Sequence, residues 1–297
     1  MKIAGAPISW GVCEVPGWGP MLPADRVLRE LKTLDLHAIE LGAPGFLPET
    51  GPKVHELLQA ANVEMLGGFV PVIVHDAAQR EATLASARTW AELLSVSSGG
   101  RGGKFVSAIV VDAEWSPRRP LESAEWTHMF SMFEAIDTVC AEFGLEQVLH
   151  PHVGTLVETA ADVQRVLDNS NIGWCLDTGH LAIGGFDPVD FAKRYADRTK
   201  HVHLKDVNLA TAERLNVGEL TLMEAVFAGL FRSLGEGDID IAGVLQTLAA
   251  SSYNGWYVLE QDISIDGEAP PEGTGPVEDI AVSLAFVRKQ LALAGVQ

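Results

Sequence analysis

Cysteine is scarce in this 297-residue sequence: only Cys13, Cys140 and Cys175 occur. Their odd number, and the lack of any CxxC spacing, exclude a zinc knuckle or a disulfide framework and point to a reducing cytoplasm. Positive charge is also thin, with 21 Lys and Arg against 40 Asp and Glu and a formal net charge of -19. Affinity for DNA or RNA comes largely from cations neutralising phosphates, so no nucleic-acid partner is expected. A small neutral or cationic ligand suits the chain better, although net charge mostly reports solubility. Long apolar runs are missing too, which excludes a bilayer-spanning helix. The first twenty residues, MKIAGAPISWGVCEVPGWGP, are broken by Pro7, Pro16 and several glycines, and read as a strand and loop rather than a signal peptide.

What is present is a regular alternation. Strand-like runs fall at 3–9, 36–41, 63–70, 105–111, 147–151, 172–177, 201–205 and 256–261, eight in all. Between them, segments such as 23–34, 79–94, 121–143 and 160–168 repeat apolar residues at intervals of three and four, as one buried helix face requires. Asp187-Pro188 and Asp240 carry helix-start chemistry. Eight strands alternating with helices predict a single α/β domain over 1–297, a (β/α)8 barrel, with an open doubly wound sheet as the alternative. The glycine-rich segment 97–104 then lies on the face opposite an active site and lacks the P-loop spacing, so it is not expected to cradle phosphate. The loops after the first, third, fourth and seventh strands are long and would line the active mouth.

Four late runs end on a side chain able to bind a metal: His150 in QVLHPH, Asp177 in GWCLDTGH, His203 in KHVHLKD and Glu260 in WYVLEQD. Any one of them alone would more often be a hydrogen-bonded structural residue. Their shared position at the ends of the fifth to eighth strands, which are neighbours around a barrel, predicts one divalent ion among them. Two nitrogen and two oxygen donors suit Mn2+, Co2+, Fe2+ or Zn2+, whereas Mg2+ prefers oxygen.

The strings DTGH (177–180), HVHLKD (201–206), LGEGDID (234–240) and VLEQD (258–262) resemble the xylose isomerase-like barrel superfamily of sugar isomerases, epimerases, endonuclease IV and dehydratases. More specifically, APISWGVCEVPGWGP (6–20), IELGAPGFLP (39–48), HPHVGTLVET (150–159) and DTGHLAIGGFDP (177–188) are similar to inosose dehydratases of inositol catabolism. The resemblance covers most of the chain. It places Asp177, His203 and Glu260 on metal-ligand positions. Sugar epimerases of the group have a glutamate in strings resembling LEP where this chain reads Leu149-His150-Pro151, so His150 is the expected fourth ligand and Glu158 the alternative.

That departure bears on the reaction. Epimerases of this type shuttle a proton with two metal-bound glutamates, and one of them is replaced here. The resemblance instead implies dehydration of a cyclic polyol ketone, 2-keto-myo-inositol, to an enol that becomes a trihydroxycyclohexane-dione. Such chemistry needs a metal, a base for the α-proton and an acid for the departing hydroxyl. Mn2+ or Co2+ is the favoured ion, with Fe2+ or Zn2+ also compatible. One of Glu260, Glu158 or His152 is expected to take the α-proton and a protonated histidine to assist water loss, with Lys205 a further catalytic candidate. Glu40 and Lys205 are expected to reach substrate hydroxyls, an ion pair between them being the rival account. His180 is expected beside the ligands, and Trp10, Trp18 and Phe46 could wall the pocket. A sugar isomerase or epimerase is the second reading. By analogy with such barrels, a homodimer or homotetramer is expected.

Overall fold

The computed structural model describes residues 1–296. Strand β1 (Ile3–Gly5) leads through helix α1 (Ala24–Thr33) to β2 (Ala38–Ile39), and α2 (Gly51–Ala61) leads to β3 (Glu64–Met65) and β4 (Gly67–Val72). Helix α3 (Arg80–Ser97) precedes β5 (Lys104–Ile109), α4 (Ser123–Glu142) precedes β6 (Glu146–Leu149), and α5 (Ala160–Asn169) precedes β7 (Gly173–Asp177). Helices α6 (Thr178–Ile183) and α7 (Pro188–Arg194) lead to β8 (Thr199–Leu204). The short strands β9 (Asp206–Val207) and β10 (Phe231–Arg232) flank α8 (Leu209–Asn216) and α9 (Leu222–Phe227). Helix α10 (Ile241–Ala250), β11 (Tyr257–Leu259) and α11 (Pro276–Leu293) complete the described chain.

Nine strands form one parallel sheet in the order β3-β2-β1-β11-β8-β7-β6-β5-β4. Its two ends, β3 and β4, are separated in sequence only by Leu66, so they are halves of one stave and the sheet closes on itself. The seam is stitched by Leu66 N–H donating to Ile39 O (2.9 Å) and Leu41 N–H donating to Gly67 O (2.9 Å). Gly67 has φ +155°, and any Cβ there would run into the carbonyl oxygen of Lys104, so only glycine permits the offset. Eight staves result, as the alternation predicts, and the parallel arrangement buries both faces of each strand.

Period-two alternation decides which way each side chain points. In β7, Trp174 faces outward and packs against Phe191 of α7 with ring centroids 5.5 Å apart, while Cys175 turns inward beside His150 and His203. The main apolar cluster fills the space between strands and helices; small groups such as Val106, Val148 and Cys175 fill the interior. Helix starts behave as their sequences require: Asp187 accepts from Val189 N (2.8 Å) and Asp240 from Gly243 N (2.8 Å). The glycines at 99–103 lie between α3 and β5, at the mouth opposite the strand carboxyl ends. No helix among the described residues is long and apolar enough to cross a membrane.

Candidate active site

The carboxyl ends of β6, β7, β8 and β11 bring His150, Asp177, His203 and Glu260 together, with one ligand atom from each within 4.8 Å of the others. Ladder hydrogen bonds fix the two that lie just past their strands: His150 N–H donates to Ser107 O (2.9 Å) and Glu260 N–H to Leu204 O (3.0 Å). Ser9, in the turn after β1, clamps the end of β11. Its hydroxyl donates to Leu259 O (3.2 Å) and accepts from Gln261 N (2.9 Å).

Asp177 divides its two oxygens between fold and site. Oδ1 accepts from His180 N (2.7 Å) and so caps α6, while Oδ2 lies 3.3 Å from His150 Nε2, 3.8 Å from His203 Nδ1 and 4.0 Å from Lys205 Nζ. His203 Nδ1 abuts Glu260 Oε2, yet neither atom has a partner in hydrogen-bond geometry. Buried polar atoms are normally satisfied. Facing donors with no bond between them are what a shared cation would satisfy, and a mixed nitrogen and oxygen set fits a divalent transition metal.

Around the quartet lies a second layer of charge. Lys205 is fully buried; its Nζ donates to Asp262 Oδ1 at 2.6 Å, lies 3.4 Å from Glu260 Oε1 and 3.3 Å from His180 Nε2, and stands 4.8 Å from the Phe231 ring centroid. Burial alone would lower its pKa, but Asp262, Glu260 and Asp177 outweigh that and raise it, so the lysine is a permanent cation. Its backbone is tied to α6, since Lys205 N–H donates to Thr178 Oγ1 (2.8 Å) and that hydroxyl donates to Lys205 O (2.8 Å).

His152 is half-buried with its ring 4.0 Å from that of His180 and 5.5 Å from that of His150. Its Nδ1 donates to Val153 O (2.7 Å), which leaves Nε2 as a free acceptor. Burial, with His150 and Lys205 alongside, pushes its pKa down to about 3. His180 is pushed well down by burial and by His152 and Lys205. Both shifts favour the neutral imidazole, so a histidine that assists water loss has first to gain its proton.

Other expected residues are placed elsewhere. Trp10 does not wall the pocket: its indole is buried between β1 and α1, where Nε1 donates to Glu30 Oε2 (2.9 Å), because the turn after β1 directs it toward the helix layer. Trp18 is likewise buried, its Nε1 donating to Ile263 O (2.7 Å), and Phe46 lies in the main core. Glu40 neither pairs with Lys205 nor opens to substrate. Its Oε1 accepts from His201 Nε2 (2.7 Å) and His203 Nε2 (3.0 Å) deep in the barrel. Burial would push Glu40 up, but the two histidines hold its pKa at about 2. Glu158 stays outside the quartet; it accepts from Gly154 N (3.0 Å) and lies 3.2 Å from Arg118 Nε, with burial raising its pKa.

The aromatic wall comes instead from Phe69 in β4 and Trp115 beyond β5. Their rings stack at 6.1 Å, and Phe69 meets His150 at 5.8 Å and His152 at 5.6 Å edge-on. Asp262, His201 and Phe231 also escaped sequence reasoning. A signal existed for two of the missed residues, since Trp115 lies in the loop DAEWSPRRP and Asp262 closes the string VLEQD.

The profile of the xylose isomerase-like TIM barrel family matches residues 28–290. The chain belongs to this family. Among its relatives, the inosose dehydratase of Geobacillus kaustophilus (strain HTA426) is 33% identical over 276 residues, covering 88% of this chain and 87% of that protein. Among solved structures, an L-ribulose 3-epimerase superposes with TM-score 0.72 at 16% identity, covering 99% of this chain and 95% of that one. The IolI protein with a binding zinc atom superposes with TM-score 0.71 at 14% identity, covering 99% of both chains. At such identities the structural likeness speaks for the fold.

Proposed function

We propose that this xylose isomerase-like barrel is a metal-dependent dehydratase that eliminates water from a cyclic polyhydroxy ketone, with 2-keto-myo-inositol as substrate. The observation that carries it is the meeting of two imidazoles and two carboxylates beside a neutral histidine and a buried lysine cation. The relation to an inosose dehydratase over most of the chain supports the substrate class. His150, Asp177, His203 and Glu260 hold a divalent ion, Mn2+ or Co2+ in preference to Fe2+ or Zn2+, and that ion supplies the Lewis acidity that makes a ketone's α-proton removable.

The chain's own groups do the rest. His152 Nε2 takes the α-proton; the C–H electrons form the new C=C bond as the β C–O bond breaks. The same imidazolium returns its proton to the leaving oxygen, so water departs and His152 is neutral again. Lys205, held by Asp262, donates hydrogen bonds where negative charge builds on oxygen. Phe69 and Trp115 flank His152 and keep bulk water from the transferred proton. Epimerisation, the second reading, asks for a second carboxylate in place of His150, and Glu158 is instead engaged by Arg118 and Gly154.

The test is incubation of Mn2+- or Co2+-loaded protein with scyllo-inosose, reading the ultraviolet absorbance of the dione. Signal that vanishes on chelation supports the reading. Solvent deuterium entering substrate without water loss would replace it with epimerisation, and neither signal would overturn both.

A further inference from the structure

We infer that Glu40 and His201 form a brace that fixes the ring orientation and proton position of His203, and thereby sets the strength of the metal centre. The inference rests on the quartet being a metal site and concerns residues outside it. His203 presents Nδ1 to Glu260 and Asp177, so its ring is useful to an ion only if the proton sits on the other nitrogen. That other nitrogen, Nε2, points at Glu40 Oε1 from 3.0 Å. An imidazole that gives Nε2–H to a carboxylate has its Nδ1 lone pair free and aimed.

Glu40 needs holding as well. It enters from beyond β2, which β1 and β11 separate from β8 around the barrel, and is only 5% exposed. A carboxylate buried that deeply is costly unless charge-assisted hydrogen bonds compensate. The second bond, from His201 Nε2 to the same Oε1 at 2.7 Å, provides this. His201 and His203 are two residues apart on β8 and so share its inward face, and their rings lie 5.1 Å apart, both reaching one oxygen. Glu40 is therefore a positioning residue for His203, and His201 for Glu40.

The same three residues could be read differently, because Glu40, His201 and His203 also present ligand atoms within 4.8 Å of one another. A second ion there would make Glu40 a ligand rather than a brace. The experiment separates the two. Metal-free wild type, Glu40→Gln, His201→Asn and the double variant are titrated with Co2+ against a competing chelator, recording the visible bands of bound cobalt.

The brace requires one ion per chain throughout, a dissociation constant about 10- to 100-fold weaker in Glu40→Gln, and displaced cobalt bands, because the donor character of His203 changes. His201→Asn weakens binding in the same direction, and the double variant loses less than the product of the two single effects, since both act through one chain of contacts. Unchanged affinity and bands in Glu40→Gln overturn the brace. So does a second equivalent of cobalt in wild type that Glu40→Gln loses. Wild type binding no metal overturns the brace and the metal reading together, whereas wild type binding normally with indifferent variants overturns the brace alone. Should Glu40→Gln fail to fold, His201→Asn decides by the same measurements.

Discussion

Lys205 Nζ sits 2.6 Å from Asp262 Oδ1, and both side chains are buried at the barrel mouth. Removing one partner of such a pair strands the other charge, which typically costs about 3 kcal/mol or more. Asp262→Asn keeps the volume and removes the charge, leaving Glu260 at 3.4 Å as the nearest carboxylate to Lys205. Thermal melting is expected to show that loss of stability, and steady-state assay a fall in kcat of more than tenfold. Unaltered melting and turnover would remove Lys205 from the proposed chemistry.

Asp177 allows fold and site to be separated, because its oxygens serve different masters. Asp177→Ala loses the cap on α6, about 1 kcal/mol, together with the ligand. Asp177→Asn keeps an oxygen to accept from His180 N but loses the anionic ligand. Both variants should lose metal by elemental analysis and turnover by assay, and only the alanine variant should melt earlier in its metal-free form.

Acid sensitivity should include a contribution from the start of α4. Glu125 is held down to about 2 from 4.5, first by its hydrogen bonds to Arg119 and then by accepting from Glu122 N at 2.7 Å. A depressed carboxyl pKa contributes stability that is complete above the unfolded value and disappears as pH falls from there toward 2. Wild type should therefore lose its stability advantage over Glu125→Gln between about pH 4.5 and 2. The gap will be small because the partner Arg119 is 46% exposed and water screens the pair, and denaturant melts at a series of pH values would measure it.

The backbone of Gly179 packs against the Lys205 side chain. A Cβ there would lie 2.7 Å from Lys205 Cγ and 2.9 Å from Cδ. Gly179→Ala should shift the ammonium off Asp262, lowering kcat severalfold with little change in KM, while Gly185→Ala in the neighbouring turn meets no atom within 4 Å and tests only positive-φ strain. Equal effects of the two substitutions on kcat would contradict the packing account.

The barrel was legible because inward and outward residues of buried parallel strands are both apolar, so each stave shows as a run. The four convergent side chains were legible because each stands at the end of such a run. What period-two alternation cannot give is the direction a residue takes once the strand stops. Trp10 follows β1 in a tight 3-10 turn (Pro7–Trp10) that throws it toward α1. Glu40 sits one residue past β2, pointing inward, where cross-barrel histidines 161 and 163 positions away claim it. Long-range partners of that kind leave no local pattern. Asp206 is similar: its carboxylate gathers Val207, Gly235, Gly237 and Ile239 N–H groups, which explains the LGEGDID string only once the loop is folded.

The joint at Leu66 leaves the ring of staves unequally fastened. From β4 to β5 six residue pairs are in register, but β1 meets β2 through the single pair Gly5 and Ile39, and β2 meets β3 through two. Warming should therefore unzip the cylinder along β1 to β3, and the amides of Glu64 and Leu66 should exchange with deuterium sooner than those of β5. All four converging side chains stand at the ends of β6, β7, β8 and β11, outside the β1 to β3 stretch. Glu40 reaches His203 from that loose stretch, and Ser9 reaches the end of β11 from it, so early breathing of the seam would tug on His203 and Glu260 before His150 and Asp177 felt it.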